Sequence, residues 1–382
     1  MQARVQPLEN VTQPINKAIG LPNESYIDPD YFKTEIKKVF YPNWFCLGFG
    51  NDVPNPGDVA PVDFAGIPLL ITRDKDSTIR VFNNVCRHRG MKLIDKPQNI
   101  VGVIRCPYHS WCYRLNGELF ATPHVGGPGH NKHAAINRKS TGLFEVRTHV
   151  WLDMVFVNLS GDAPDFDEYT EKLQNRISDF KDQKIYHGGA DSSISLTVKS
   201  NWKLPIENTC ESYHLPWVHP GLNSYSRLQD HYNIVEPQLY SGQGSLVFNP
   251  KLDESGRRFA SFPNLSEKWN TAAEYIALFP NIQLGIQKDH FFVIHITPVS
   301  VDETHERVEI YYAAPEMTEA PWADLREKRA AMWTEVFSED VFAVEGMQKG
   351  RYAPDFDGGK FSPTMDVSTH CFHDWVARQL MR

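Results

Sequence analysis

The side chains in this sequence best suited to chemistry are Cys86-Arg87-His88 and, after a gap of seventeen residues, Cys106-Pro107-Tyr108-His109. Each short unit offers one thiolate and one imidazole, so two units brought together present two sulfurs and two nitrogens. A structural zinc ion could use such a set, although zinc fingers usually keep the two cysteines together and the two histidines together. A binuclear iron–sulfur cluster is the second reading, with both thiolates on one iron and both imidazoles on the other. Neutral imidazoles in place of anionic thiolates raise the reduction potential, which makes such a cluster an easy electron acceptor. Four inert core residues are the bland alternative. A catalytic cysteine fits worst, because one nucleophile does not need two matching units.

A second set follows further along the chain. His214 and His219 are five residues apart, and Glu211 precedes the first by three. Five is not a clean helical spacing, since positions i and i+4 share a face. Pro216 lies between them, and it is expected to distort the helix enough for the two rings to converge. A pair of satisfied core histidines would show the same spacing.

Taken with their neighbours, these residues resemble a known family. Cys86-Arg-His-Arg-Gly90 and Cys106-Pro-Tyr-His-Ser-Trp111, followed by Tyr113 and Gly117, resemble the cluster-binding segment of Rieske ring-hydroxylating oxygenases. Asn201-Trp-Lys-Leu-Pro-Ile-Glu-Asn208, ahead of His214, resembles the iron-binding helix of the same family. The resemblance implies a [2Fe–2S] cluster with Cys86 and Cys106 on one iron and His88 and His109 on the other. It also implies mononuclear iron(II) on His214, His219 and a late carboxylate. Residues 338–348 resemble the segment that supplies that carboxylate, which gives Asp340, with Glu339 and Glu345 as competitors. Glu211 is implied to link His109 of one subunit to His214 of the next, which requires a head-to-tail ring, most simply a trimer. One departure is visible: Ser110 stands where the family usually has Gly, and a small adjustment of the local turn is expected.

The implied fold is α+β: an N-terminal all-β Rieske domain, then a helix-grip (START-like) catalytic domain with mononuclear iron. The implied activity is that of the oxygenase component of a monooxygenase using O2. Glu at position 211, where many members have Asp, points to the branch acting on choline, carnitine, glycine betaine and proline betaine. A small quaternary or methylated amine would be hydroxylated or N-demethylated. Hydroxylation or O-demethylation of a small aromatic acid is the alternative, and an electron carrier without oxygenase activity is a further one. Electrons would come from NAD(P)H through a separate flavin and iron–sulfur reductase. No G-x-G-x-x-G follows a strand, since Gly48-Phe-Gly50 runs on as Asn-Asp-Val, and there is no second cysteine cluster.

The elements that must position these groups can be read from texture. Hydrophobic residues make up 41% and charged residues 23%, an ordinary globular balance. A net charge of −8 argues against a nucleic-acid partner, which would need a basic footprint. The apolar stretch 59–72 is broken by Asp63, Gly66 and Pro68, and residues 1–14 lack a secretory pattern, so a soluble cytoplasmic protein is expected. Expected boundaries are 1–43 for a polar arm and a helix starting at Asp28, 44–160 for the cluster domain and 161–382 for the catalytic domain. Strands are expected at 68–72, 79–83, 101–105 and 154–158, and later at 193–200, 244–248, 282–286, 291–297 and 307–313. A helical connector falls in 162–184 and a long helix in 322–349.

Other prominent residues have plainer readings. Cys46, Cys112, Cys210 and Cys371 read as packing residues. His124, His130 and His133 read as solvated, and one of His290 and His295 is a candidate pocket residue. Tyr213, Trp217, Tyr225, Trp269, Tyr275, Phe291 and Phe292 could face a trimethylammonium group through cation–π attraction, or simply fill the core.

Overall fold

Short β-branched runs separated by Gly, Asn and Asp make the first third of the chain antiparallel. In the computed structural model, which describes residues 7–253 and 256–382, Tyr41–Ala163 form one unit. Its seven-stranded sheet runs Phe45–Phe49, Met154–Asn158, Glu145–Trp151, Ile79–Asn83, Ile67–Arg73, Asp58–Phe64 and Gln98–Asn99 in spatial order. A three-stranded sheet of Ile104–Arg105, Cys112–Tyr113 and Leu119–Ala121 sits within the same unit. Leu70, Phe82, Ile104, Trp111 and Tyr113 are buried together around Cys86 and Cys106, which gives the candidate cluster a dry, fixed base. The strand expected over 101–105 is confined to Ile104–Arg105, with Val101 fully exposed.

Pro164–Arg382, with the segment ending at Phe40, form the second unit. Its eight-stranded antiparallel sheet places Glu303–Tyr312, His290–Ser300, Ile282–Ile286, Ala273–Leu278, Tyr240–Ser245 and His231–Glu236 side by side. Ser193–Val198 and Tyr186–His187 both pair with Glu303–Tyr312. The strand expected at 244–248 lies earlier, at Tyr240–Ser245, and three of the strands, Tyr186–His187, His231–Glu236 and Ala273–Leu278, were not anticipated. Tyr-Ser-Gly-Gln-Gly-Ser reads as a loop because it lacks apolar residues. Gly242 and Gly244 are required here: a Cβ would meet the Tyr275 carbonyl and the Tyr232 ring respectively. The buried hydroxyls of the same strand find partners, Ser241 on the Ser368 carbonyl and Ser245 on the Val247 carbonyl.

The long helix Ala323–Gly350 buries Arg329, Trp333, Val336, Val344 and Gln348, at steps of three, four and eight that keep one face on the core. Asp28 caps the helix Pro29–Glu35 through the Asp30 and Tyr31 amides, with Pro29 in the first turn where its missing N–H costs nothing. That helix delivers Glu35 to Lys203, and both side chains are fully buried at 2.7 Å. Lys203 also donates to the Ser25 carbonyl and to Asn201 Oδ1, so the ion pair is hydrogen-bonded on all sides. The polar arm therefore packs on the catalytic unit; its first six residues lie outside the described residues.

Candidate metal centres

Cys86 and Cys106 are buried at 2% and 1% exposure, whereas His88 is exposed and His109 half-buried. The sulfurs point to the core and the imidazoles to the surface. Their ring centroids are 4.7 Å apart, and His88 is stacked on Trp111. The two loops repeat one turn: the Gly90 amide donates to the Cys86 carbonyl and the Ser110 amide to the Cys106 carbonyl, both at 3.0 Å. Both closing residues are left-handed, Gly90 at φ +73° and Ser110 at φ +57°. The turn is thus unadjusted at Ser110. The serine adopts the glycine conformation and bears its steric cost, while the Cys112 thiol donates to its carbonyl at 3.2 Å. Burial pushes the Cys86 thiol up, and the Tyr113 hydroxyl, 3.3 Å away, pulls it the other way. The Arg87 amide donates to the same hydroxyl, which leaves the phenol proton for the sulfur. Two buried sulfurs and two adjacent imidazoles are a donor set that fits a binuclear iron–sulfur cluster.

In the second unit the histidines are not on one helix. Lys203–Thr209, Leu215–Val218 and Pro220–Asn223 are three separate pieces. Pro216 sits in the first turn of its piece and distorts nothing. The break is at His219, whose φ of −122° and ψ of 61° are imposed by the following Pro220. This bend turns the two rings toward each other, with centroids 5.1 Å apart.

His214 and His219 meet Asp340, and the candidate ligand atoms of the three lie within 4.8 Å of one another. Asp340 Oδ1 is 2.9 Å from His219 Nε2 and 3.7 Å from His214 Nε2. The far nitrogens are each held by a carboxylate: His214 Nδ1 by Glu211 Oε1 and His219 Nδ1 by Glu339 Oε2, both at 2.7 Å. Glu339 therefore lies behind the ring that Asp340 faces, and Glu345 instead accepts the exposed Lys199 amide. Asp340, half-buried, lies four residues from each of the buried Val336 and Val344 and so on their face of the helix, while Glu339 lies one step off it. That register was a usable signal. Asn208 donates to Asp340 Oδ1 at 3.1 Å, and Glu211 also accepts the His214 amide at 3.2 Å. Burial opposes a charged His219 ring, but Asp340 and then Glu339 outweigh it and hold its pKa above the usual value. With both Nδ1–H groups engaged, the Nε2 lone pairs converge with a carboxylate oxygen, an arrangement that fits a divalent iron.

Tyr275, Phe292, Trp333 and Phe337 line the pocket beside Asp340. Phe292 meets Trp333 edge-on at 4.6 Å, and Trp333 stacks on Phe337 at 5.7 Å. Of the aromatics singled out from sequence, Tyr275 and Phe292 are in this wall. Trp217 and Tyr213 are exposed; Trp269 is buried against Phe180, and Phe291 packs on Tyr311. His290 supports the wall from behind, accepting the Trp333 indole N–H at 2.9 Å. His231 is a pocket residue that sequence reasoning missed; it bonds Gln243 and Ser226. His124, His130 and His133 are exposed, and the remaining cysteines are buried.

The chain is similar to known proteins along most of its length. The family described as "Ring hydroxylating alpha subunit (catalytic domain)" matches residues 186–382, and "Rieske [2Fe-2S] domain" matches residues 43–136. The glycine betaine monooxygenase oxygenase subunit of Pseudomonas aeruginosa is 24% identical, over 95% of this chain and 90% of its own. The carnitine monooxygenase oxygenase subunit of Escherichia coli K12 is 25% identical, over 90% and 87%. Among solved structures, the quaternary ammonium Rieske monooxygenase CntA in complex with L-carnitine superposes with a TM-score of 0.74 at 22% identity, covering 98% of this chain and 99% of that one.

Proposed function

The chain belongs to the ring-hydroxylating alpha-subunit family of Rieske oxygenases, and from that premise we propose that it is the oxygenase component of a monooxygenase for a small methylated or quaternary amine. The observation that carries this reading is the convergence of His214 Nε2, His219 Nε2 and Asp340 Oδ1 at the foot of a four-ring aromatic wall. Cys86, Cys106, His88 and His109 would hold the [2Fe–2S] cluster, and His214, His219 and Asp340 the iron. When bound, the cluster supplies single electrons and the iron supplies dioxygen activation.

The protein's own residues prepare that chemistry. Glu211 and Glu339 fix the ring orientation and tautomer of the two histidines, so that no reorganisation is needed at turnover. Asn208 holds Asp340 by its inner oxygen. Faces of Trp333, Phe337 and Phe292 can attract a methylated ammonium group and keep water from it. Oxygen insertion into an N-methyl C–H bond consumes O2, two electrons and two protons and yields water and a hemiaminal, which collapses to formaldehyde and the demethylated amine. The electrons come from a separate NAD(P)H-oxidising reductase, and Glu211 would bridge His109 of a neighbouring subunit to His214, coupling cluster and iron across a ring, most simply a trimer. None of the helices among the described residues is long and apolar enough to cross a membrane, which is compatible with a cytoplasmic enzyme.

Anaerobically purified protein tests the reading. Two cluster irons and one mononuclear iron per chain, a Rieske-type EPR signal after dithionite, and formaldehyde release from betaine-like amines with a suitable reductase are expected. A colourless zinc protein would sink it.

A further inference from the structure

Charge is unevenly spread along this acidic chain. Residues 81–140, which carry both cluster loops, hold nine Lys and Arg against two Asp and Glu, whereas the whole chain has 39 against 47. The two acids are engaged by exposed neighbours, Asp95 by Lys92 at 3.3 Å and Glu118 by Arg114 at 3.8 Å. Among the described residues no carboxylate pairs with Arg89, Arg105, Lys132, Arg138 or Lys139, and all five are exposed. The cluster domain therefore carries a local positive field inside a molecule of net charge −8.

Three of its side chains are gathered at one place. Lys132, His133 and Arg138 line a hollow of about 460 Å³ together with Thr122 and Ile136. The loop that carries them is fixed by its own hydrogen bonds. Thr122 Oγ1 donates to the Asn131 carbonyl at 3.1 Å, Asn131 Oδ1 accepts the His124 amide at 2.9 Å, and Thr141 Oγ1 donates to the Asn137 carbonyl at 2.7 Å. His133 Nδ1 accepts the Ala135 amide at 3.1 Å, which places the proton of the neutral ring on Nε2 as a further donor. A surface held in this way has little order left to lose on docking. Ile136, half-buried in the hollow, packs on the core that encloses Cys86 and Cys106. The hollow thus backs onto the core that holds the two sulfurs. No residue of either cluster loop lines it, so a group seated there leaves His109 free for the next subunit.

We propose that this hollow is the docking point of the protein that reduces the cluster, and that the partner presents acidic side chains to Lys132, His133 and Arg138. The proposal rests on the reading above that electrons arrive from a separate protein. At long range the net charge of −8 repels an acidic carrier, and the positive field of the cluster domain turns that carrier to this one face. One electron passes per encounter and no bond forms or breaks: the carrier is oxidised and the cluster is reduced.

Stopped-flow reduction of the cluster in the purified holoprotein tests this, with a pre-reduced plant-type [2Fe–2S] ferredoxin as the acidic carrier. Transfer is downhill, because Rieske centres lie at higher potential than plant-type ferredoxins. The bimolecular rate should fall about tenfold between about 0.05 and 0.5 M salt. Lys132→Glu with Arg138→Glu should lower it about tenfold at low salt. Lys37→Glu with Lys75→Glu, the same change of charge on exposed lysines elsewhere, should lower it far less. Full reduction by dithionite and the resulting EPR signal should be unchanged in both pairs, which shows that the domain is folded. A rate indifferent to salt, or an equal loss in the two pairs, overturns the docking point and leaves the oxygenase reading standing. A smaller oligomer in sedimentation of the Lys132 and Arg138 pair assigns the hollow to a contact between copies and overturns it as well. Absence of a Rieske signal in the unaltered protein overturns instead the reading on which the proposal rests.

Discussion

Replacing Glu339 by Ala should weaken mononuclear iron binding without touching the [2Fe–2S] cluster. The carboxylate is 2.7 Å from His219 Nδ1 and makes no contact of its own with the converging ligand atoms. Losing a charge-assisted hydrogen bond of this kind costs roughly 1.5–3 kcal/mol. At 1.4 kcal/mol per decade, that is about tenfold to a hundredfold in iron affinity, the range usual for partners that orient a ligating histidine. Glu339→Gln keeps a neutral acceptor and should lose about half as much free energy. Asp340→Ala removes a ligand and should leave the site without iron at any accessible concentration. The assay is iron content after dialysis against graded chelator, with the cluster's EPR signal as internal reference and Glu345→Ala as control. Complete loss of iron in Glu339→Ala with retention in Asp340→Ala would reverse the two roles. Loss in Glu345→Ala would refute the geometry altogether.

Other consequences are as direct. Ser110→Gly should stabilise the cluster domain by about 1 kcal/mol, because the left-handed turn at φ +57° no longer carries a Cβ; a rise in the melting temperature of the holoprotein checks it. Tyr113→Phe removes the hydroxyl beside Cys86 Sγ and should lower the cluster's reduction potential in redox titration, since hydrogen bonds to the sulfurs favour the reduced state. Lys203→Met leaves Glu35 buried without its ion-pair partner and should cost about 3–5 kcal/mol in denaturant unfolding, with part recovered on adding Glu35→Gln. Burial, then the Arg329 charge, hold His290 down to about 4 against the pull of Asp289. Between about 4 and the ordinary histidine value near 6.5, the unfolded chain binds a proton that the native ring refuses. Stability should therefore fall as pH drops through that window and be unaffected by this ring above it, which melting curves between pH 4 and 7 would show.

Much of the site was legible because its chemistry is local. Each Cys-and-His unit lies within four residues, and both sit in a short turn closed by one amide-to-carbonyl bond, so spacing alone restricts what they can bind. The helix 323–350 was readable from its run of strong helix formers, although Arg326, Arg329 and Gln348 on its buried face leave little apolar period; Asp340 lies four residues from both buried Val336 and Val344, with Glu339 one step off that face. Tyr240–Ser245 was illegible for the opposite reason: its strand is held by close backbone approach at two glycines and by buried hydroxyls, neither of which leaves an apolar pattern.

What the sequence by itself determined is the inventory: two thiolates, the imidazoles, the candidate carboxylates, and the β-then-α+β order that carries them. Which groups meet was decided only by tertiary structure. His214 and His219 converge because Pro220 bends the backbone at His219, and Pro216, the more obvious suspect, does nothing. Glu339 and Asp340 are adjacent in the chain, yet one reaches Nδ1 and the other Nε2 of the same ring. His290 and Trp333 come from a strand and a helix, and no local pattern links them. Only packing could strip that pair of water and join indole to imidazole, because an unmet hydrogen bond costs free energy only once a group is buried.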